Sequence, residues 1–403
     1  MTERFLCNLP WDHLSVHPHS TCSVCCEAKH NEGSPGDAIS RVDGKDVHHS
    51  VKTHSLDEII NSDNYKTIRK EMLEGKIPSA CEGCWKTEQA GGQSKRLRES
   101  WRDLDHDSLT ALDGAINPDL FTVELRLGNY CNLKCRSCNA ESSTSWISDY
   151  HKLKNKVNLP SGFDALSTSP VTNYDWVEDP SFYDDLIKNA PNIKSFFISG
   201  GEPFLVPKHF YLLERLIEEG RTDIEISYHT NLNYNMSKLQ NSLELLKQFD
   251  KVTLNLSIDD VGKRNSYMRA GSNWELMIKN LHIFYKEYPF RYNITQTFNA
   301  YNFFYAEELE LFLKEQSIDI SVFPNHVHAP AYLSPNVFSK EKRQEKISSI
   351  KGNVSDRLYQ DLYGRYYNSE PNGLYNDFVK FTKEVDKVRF ESYDELFSEL
   401  INE

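Results

Sequence analysis

The stretch that decides the fold is Cys131-Asn132-Leu133-Lys134-Cys135-Arg136-Ser137-Cys138. It places three thiols within eight residues, as C-x3-C-x2-C, just after the strand-like run Phe121–Leu127 (FTVELRL). Thiolates so close on a loop at the carboxyl end of a strand can converge on one metal centre. A structural zinc ion normally takes four ligands. Three cysteines suit an iron-sulfur cluster equally well and leave one iron open. The spacing by itself leaves both readings standing.

Outward from this loop the chain alternates strand-like and helix-like segments. After 121–127, strands are expected at 193–199, 223–229, 251–259, 292–300 and 318–323. Helical spacing of apolar residues separates them at 207–220, 236–248, 273–288 and 305–315. Six strands with interleaved helices predict a parallel α/β layer or partial barrel, whose ligands sit at the carboxyl ends of the strands. Residues 141–155 read as helical and 157–182 as a long loop. The tail, 339–403, reads as three helices.

Short motifs stand at or just after these strand ends. Ser199-Gly200-Gly201-Glu202-Pro203 follows the second, and His229-Thr230-Asn231 ends the third. Ser257-Ile258-Asp259-Asp260 ends the fourth, with Arg269-Ala270-Gly271 soon after. Glycines let backbone approach a ligand closely, Pro203 fixes a turn, and Glu202 is a carboxylate able to accept from an ammonium. Ser257 and Asp259 are expected to alternate on one strand and share a face.

In this order the motifs resemble the radical S-adenosylmethionine (SAM) superfamily, over roughly residues 121–324. The resemblance implies an α/β fold: a partial (β/α)6 TIM-like barrel. It implies that Cys131, Cys135 and Cys138 hold a [4Fe-4S] cluster whose free iron chelates SAM. One electron would then cleave SAM to methionine and a 5′-deoxyadenosyl radical that abstracts hydrogen from a substrate. By the same resemblance, Gly200, Gly201, Glu202, Pro203, Thr230, Asn231, Ser257, Asp259 and Arg269 contact SAM. Two positions depart from the family pattern. Ser137 stands where an aromatic residue is common, and Asp260 where the ribose segment has glycine.

The other cysteines lie earlier, at Cys7, Cys22, Cys25, Cys26, Cys81 and Cys84. The pattern C-x12-(small)-x4-C followed by C-x2-C resembles the twitch/SPASM auxiliary-cluster domain. That implies a second [4Fe-4S] cluster on Cys7, Cys25, Cys81 and Cys84, with Cys26 an alternative to Cys25. Ser20 stands where this family usually has glycine, and the domain precedes the core instead of following it. A structural zinc site and unligated thiols are the competing readings. The loose histidines His17, His19, His30, His48 and His49 read as loop residues. So do residues 1–50 as a whole, with 29–50 a surface loop.

Leu56–Gly75 has the apolar spacing of one helix, and 93–104 that of another. Lys95-Arg96-Leu97-Arg98 reads as a solvated helix face. His326 and His328 read as surface-loop residues after the last core strand.

The expected division is a twitch/SPASM-like domain at 1–105, a radical SAM core at 106–324 and a C-terminal helical extension at 325–403. The chain has 403 residues, with 46 Lys and Arg against 59 Asp and Glu, a net charge of −13. That acidity disfavours nucleic acid as a partner, and no run is apolar enough for a membrane helix. Nine cysteines without a basic-then-apolar leader fit a reducing cytoplasm better than a disulfide scaffold.

The expected partners are a peptide, protein or small-molecule substrate and an electron donor such as flavodoxin or ferredoxin. The alternatives are an RNA-modifying radical SAM enzyme and a zinc-stabilised interaction protein that is no enzyme.

Overall fold

The computed structural model describes residues 5–28, 35–89, 92–99, 102–159, 174–327 and 329–397. The histidines His30 and His328, and most of the predicted loop 157–182, fall outside them. All six expected core strands are present: β5 (Thr122–Leu127), β6 (Ser195–Gly200), β7 (Glu225–Thr230), β8 (Val252–Ser257), β9 (Arg291–Phe298) and β10 (Ser321–His326). They follow four short strands, β1 (His13–Val16), β2 (Cys22–Ser23), β3 (Ile39–Val42) and β4 (Lys45–His48). Helices Phe210–Glu218, Gln240–Leu246, Trp274–Glu287 and Glu308–Glu315 separate the later strands, the α/β alternation the sequence predicted.

The chain divides into two compact units: Met1–Gly128, Ala165–Ser227 and Glu244–Lys251 form the first, and Asn129–Asp164, Tyr228–Leu243 and Val252–Glu403 the second. In the first unit β5 pairs in parallel with β6, from Thr122 opposite Ser195 to Leu127 opposite Gly200. The other edge of β5 pairs in parallel with β1, His13 to Val16 opposite Thr122 to Leu125, and β1 pairs antiparallel with β2. The cysteine-rich N-terminal segment therefore supplies strands to the same sheet.

Residues 29–50, expected as a surface loop, include the hairpin β3–β4. Its signal is Asp43-Gly44, with φ of 50° and 73°. Two consecutive left-handed residues make the tight turn that matches strand twist.

The stretch 56–75 forms two helices, Leu56–Ile60 and Asp63–Leu73, instead of one. Asn61 breaks it by pairing with the backbone of Ile116, accepting from its N–H at 3.0 Å and donating to its carbonyl at 3.0 Å. Side chains of this type draw the backbone out of helical pairing. Lys95 and Arg96, expected on a solvated face, turn inward. Arg96 pairs with Glu88 and lies over the Phe5 ring at 4.3 Å.

In the second unit β8, β9 and β10 are parallel neighbours. Helix Trp274–Glu287 starts where the Asn273 side chain accepts from Leu276 N–H at 2.9 Å, a standard N-cap. It buries Met277, Asn280, Leu281 and Phe284 on one stripe, the spacing of an amphipathic helix. Among the described residues the tail forms three α-helices, as expected: Lys340–Ser349, Asp356–Leu362, which runs on into a π-helical turn at Tyr363–Tyr367, and Tyr375–Arg389. The last packs Phe378, Phe381 and Val385 into an aromatic core with Tyr267, Tyr301 and Phe397. His326 ends β10 buried, between the Tyr366 hydroxyl at 2.8 Å and Asp361 at 2.5 Å. It is held inside, contrary to the surface position expected of it.

Arg69 shows how buried charge fastens the first unit. It is wholly buried, donating to the carbonyls of Pro10 at 2.8 Å, Gly114 at 2.9 Å and Ile60 at 2.5 Å. Arg69→Met strands these acceptors and should cost about 3 kcal/mol. Urea unfolding checks this, and an unchanged midpoint refutes the role.

Candidate metal centres and cofactor site

The three-cysteine loop lies in the second unit and is pinned by backbone on one side and side chains on the other. Lys134 N–H donates to the Ala270 carbonyl at 2.8 Å and Arg136 N–H to the Met268 carbonyl at 2.7 Å. These rungs bracket Cys135. Gly271, at φ 95°, allows the approach: a Cβ there would sit 3.1 Å from the Asn132 carbonyl oxygen. The loop's carbonyls are taken as well. Ser145 Oγ donates to that of Cys131 at 2.8 Å, Ser143 Oγ to that of Leu133 at 2.5 Å, and the Trp146 indole N–H to that of Cys135 at 2.7 Å.

Cys131, Cys135 and Cys138 are half-buried. Burial pushes up the Cys135 thiol, while Arg269 draws it down. Burial pushes Cys138 up to about 12, and Cys135 and Cys131 add to the rise. Thiols so placed stay protonated until a metal centre compensates the charge.

The surrounding donors fit a charge-bearing cluster. Arg136 Nη1, Arg269 Nε and both terminal nitrogens of Arg389 are buried with no hydrogen-bond partner among the described residues. Arg269 and Arg389 both act on Cys135 electrostatically. Buried orphan donors around three thiols are what an anionic iron-sulfur centre satisfies.

The Thr230-Asn231 segment is tied to the same loop. Asn231 donates to Asn132 Oδ1 at 2.9 Å and approaches Cys131 Sγ at 3.9 Å, and Asn132 donates to the Asn233 carbonyl at 2.5 Å. Thr230 Oγ1 donates to the Tyr234 hydroxyl at 3.0 Å. Between them Leu232 sits at φ 60°, a costly conformation for a branched side chain. The buried Asn280 holds it by donating to the Leu232 and Tyr234 carbonyls at 2.8 and 2.7 Å. The sequence reading did not single out Asn132, Asn233 or Asn280, because an asparagine's partner 50 or 100 residues away leaves no local pattern.

Ser257 ends β8, and Asp259 lies beyond it instead of alternating with it on the strand. The Asp259 carboxylate is engaged at both oxygens, by Arg269 Nη1 at 3.0 Å and by Thr297 N–H at 3.0 Å. Asp260 is buried and accepts from Arg264 Nε and Nη2, both at 2.9 Å. Burial pushes it up to about 6 against the pull of that guanidinium.

In the first unit, Gly200 ends β6 at φ 126°. A Cβ there would stand 2.6 Å from Leu127 N, so the neighbouring strand, too, requires glycine. Glu202 is 1% exposed and accepts from Phe204 N–H at 3.2 Å, and Pro203 begins the turn Pro203–Leu205.

The N-terminal thiols, also in the first unit, separate into a group and two outliers. Burial raises Cys7 to about 12, and Cys84 adds to it. It likewise raises Cys81, with Cys7 and Cys84 adding, and Cys25, which feels Cys26, Cys7 and Cys81. Cys7, Cys25, Cys81 and Cys84 are thus electrostatic neighbours. Cys26, the strongest of the charged neighbours of Cys25, itself accepts from Lys95 Nζ at 3.1 Å. Lys95 also pairs with Glu124 at 3.6 Å, and Glu124 with Arg126 at 3.3 Å. Burial opposes charge on Glu124, yet Lys95 and Arg126 hold it down at about 2. Cys22 is buried beside Asp37. Ser20 takes φ 78° and meets Ser50 Oγ at 2.8 Å, so it adopts the conformation for which its family position favours glycine. Among the described residues no three His, Cys, Asp or Glu side chains converge as tightly as one metal ion requires.

Residues 125–298 match the Radical SAM superfamily, and residues 7–85 match SPASM, an iron-sulfur cluster-binding domain. No curated protein matches the chain. Among solved structures, native anSMEcpe with bound AdoMet aligns at 18% identity and TM-score 0.37, over 57% of this chain and 59% of that one. The same protein with AdoMet and Cp18Cys peptide aligns at 17% and 0.39, over 58% of each chain. Streptococcus suis SuiB bound to S-adenosylmethionine aligns at 16% and 0.36, over 77% of this chain and 66% of that one. The match to anSMEcpe thus spans less than two thirds of that protein.

Gly200→Ala should destabilise the first unit by about 3 kcal/mol, through strained backbone and the clash with Leu127. Denaturant unfolding measures it, and a wild-type midpoint would show that the strand end relaxes freely.

Proposed function

We propose, for a chain whose residues 125–298 belong to the radical SAM superfamily and whose residues 7–85 form an iron-sulfur cluster-binding domain, that it is an enzyme generating a radical from SAM at Cys131, Cys135 and Cys138. The observation that carries this reading is the pinned three-thiol loop ringed by buried, unsatisfied arginine donors. When bound there, a reduced [4Fe-4S] cluster supplies the electron that splits SAM into methionine and a 5′-deoxyadenosyl radical.

The protein's own residues bind and orient. The backbone rungs at Lys134 and Arg136 fix the spacing of the thiols. Asn231 holds the loop through Asn132. Arg269, braced by Asp259, places a positive charge beside Cys135. Asp259 and Arg269 are paired with each other, and both, with Asn231, are proposed SAM contacts through the family resemblance. Glu202, Thr230 and Ser257 remain proposed SAM contacts through the family resemblance, with Gly200, Gly201 and Pro203 shaping the backbone there.

Cys7, Cys25, Cys81 and Cys84 are proposed to hold a second [4Fe-4S] cluster, a reading their mutual electrostatic coupling supports. The proposed substrate is a peptide, protein or small molecule, with a flavodoxin or ferredoxin as electron source, and the domain division 1–105, 106–324 and 325–403 is kept as part of this reading.

Anaerobically reconstituted, reduced protein should convert SAM to 5′-deoxyadenosine, and replacing Cys131, Cys135 and Cys138 together by Ala should lower turnover at least about 100-fold. Unchanged turnover defeats the assignment. Cys25→Ser should lose about half the iron while Cys26→Ser keeps it, since Cys26 faces Lys95. Equal iron in the two variants, by colorimetric assay, would refute the ligand choice.

A further inference from the structure

We infer that the C-terminal helix Tyr375–Arg389 and the turn after it complete the site of the three-cysteine loop: Arg389, and Arg136 as held by Asp386 and Glu391, are positioning residues that set the loop's geometry and the potential around the centre its thiols hold. The inference rests on the function proposed above. It goes beyond that reading, because these tail residues lie outside the matched segment 125–298.

Arg136 follows Cys135 directly and is 2% exposed. Its Nη2 donates to Asp386 at 2.5 Å and to Glu391 at 2.6 Å, across about 250 residues of sequence. Its guanidinium lies 3.6 Å from the centre of the Tyr267 ring and 5.6 Å from that of Tyr301, a desolvated cation–π stack. Asp386 is itself fixed, accepting from the Tyr267 hydroxyl at 2.8 Å and from Tyr393 N–H at 2.8 Å.

Arg389 makes the second link. Its Nε donates to Asp149 at 2.8 Å, and its guanidinium sits 4.6 Å from the centre of the Trp146 ring, the indole that donates to the Cys135 carbonyl. Asp149 also pairs with Lys134 at 3.0 Å. Of the residues that carry the backbone rungs, Arg136 is tied to the tail directly and Lys134 through Asp149, which also holds Arg389. Removing one partner of such a buried pair leaves an uncompensated charge, so a change in the tail is felt at the loop. The unsatisfied nitrogens of Arg136 and Arg389 favour the more negative, reduced state of a nearby cluster.

The test is an EPR redox titration of reconstituted full-length protein, as wild type, Arg389→Gln, Arg389→Lys and Glu391→Gln. The signal that responds to SAM is followed, with the SAM-insensitive signal as internal standard. Arg389→Gln should move the midpoint of the SAM-responsive signal to more negative potential and leave the other in place. Arg389→Lys should restore most of the shift, and Glu391→Gln should move it the opposite way.

Unshifted midpoints in both charge-removing variants overturn the inference. So does an equal shift of both signals, which marks a general change of structure. If wild-type protein shows no SAM-responsive signal, the proposed function fails instead. Iron retention then decides the inference: loss in Arg389→Gln with recovery in Arg389→Lys supports it, and equal retention overturns it.

Discussion

Burial makes a thiol expensive to ionise. Two groups of cysteines in this molecule sit under that constraint, and charged neighbours are arranged about them. Burial raises Cys135 and Cys138 in one unit, and Cys7, Cys25 and Cys81 in the other, and at all of these but Cys135 neighbouring thiols compound the rise. An isolated buried anion is not tolerated, so each group needs a cation. Around the C-x3-C-x2-C loop the protein supplies Arg269, Arg136 and Arg389, each anchored by a carboxylate: Asp259, Asp386 with Glu391, and Asp149. The anchors keep the guanidiniums buried without neutralising every donor.

The N-terminal segment is built differently. Its strand β1 pairs with β5, the strand that leads into the cysteine loop. The N-terminal segment is therefore joined to β5 by a backbone ladder within the first unit, and β5 carries on one face Glu124 and Arg126, which organise Lys95 and Cys26. That polar set engages Cys26 through a hydrogen bond from Lys95, whereas Cys25 stands at the start of the turn closed by Ala28 N–H on the Cys25 carbonyl at 3.3 Å. Two adjacent cysteines thereby acquire different surroundings.

Much of this was legible in the residues. Six strand candidates emerged from apolar runs separated by helical spacing, and all six form, since both periods follow from backbone geometry. The cysteine loop and Gly200 were visible because few residue types serve there. The hairpin at Asp43-Gly44 has a turn signal in its two left-handed residues, whereas the break in Leu56–Gly75 has no local signal because Asn61 answers to Ile116, far along the chain. Lys95 and Arg96 looked like a wet face because charge predicts exposure unless a buried carboxylate waits for it.

The sequence by itself determined the α/β alternation, the triple-thiol loop and the strand-end motifs, because these depend on local spacing and on residue types with narrow chemistry. Only the tertiary structure decided that Cys26 meets Lys95, that Asp259 pairs with Arg269, and that Asp386 and Glu391 hold the arginine beside Cys135. Those are pairings between distant parts of the chain. They are selected by the cost of burying an unpaired charge, a cost that exists only once folding has removed the water.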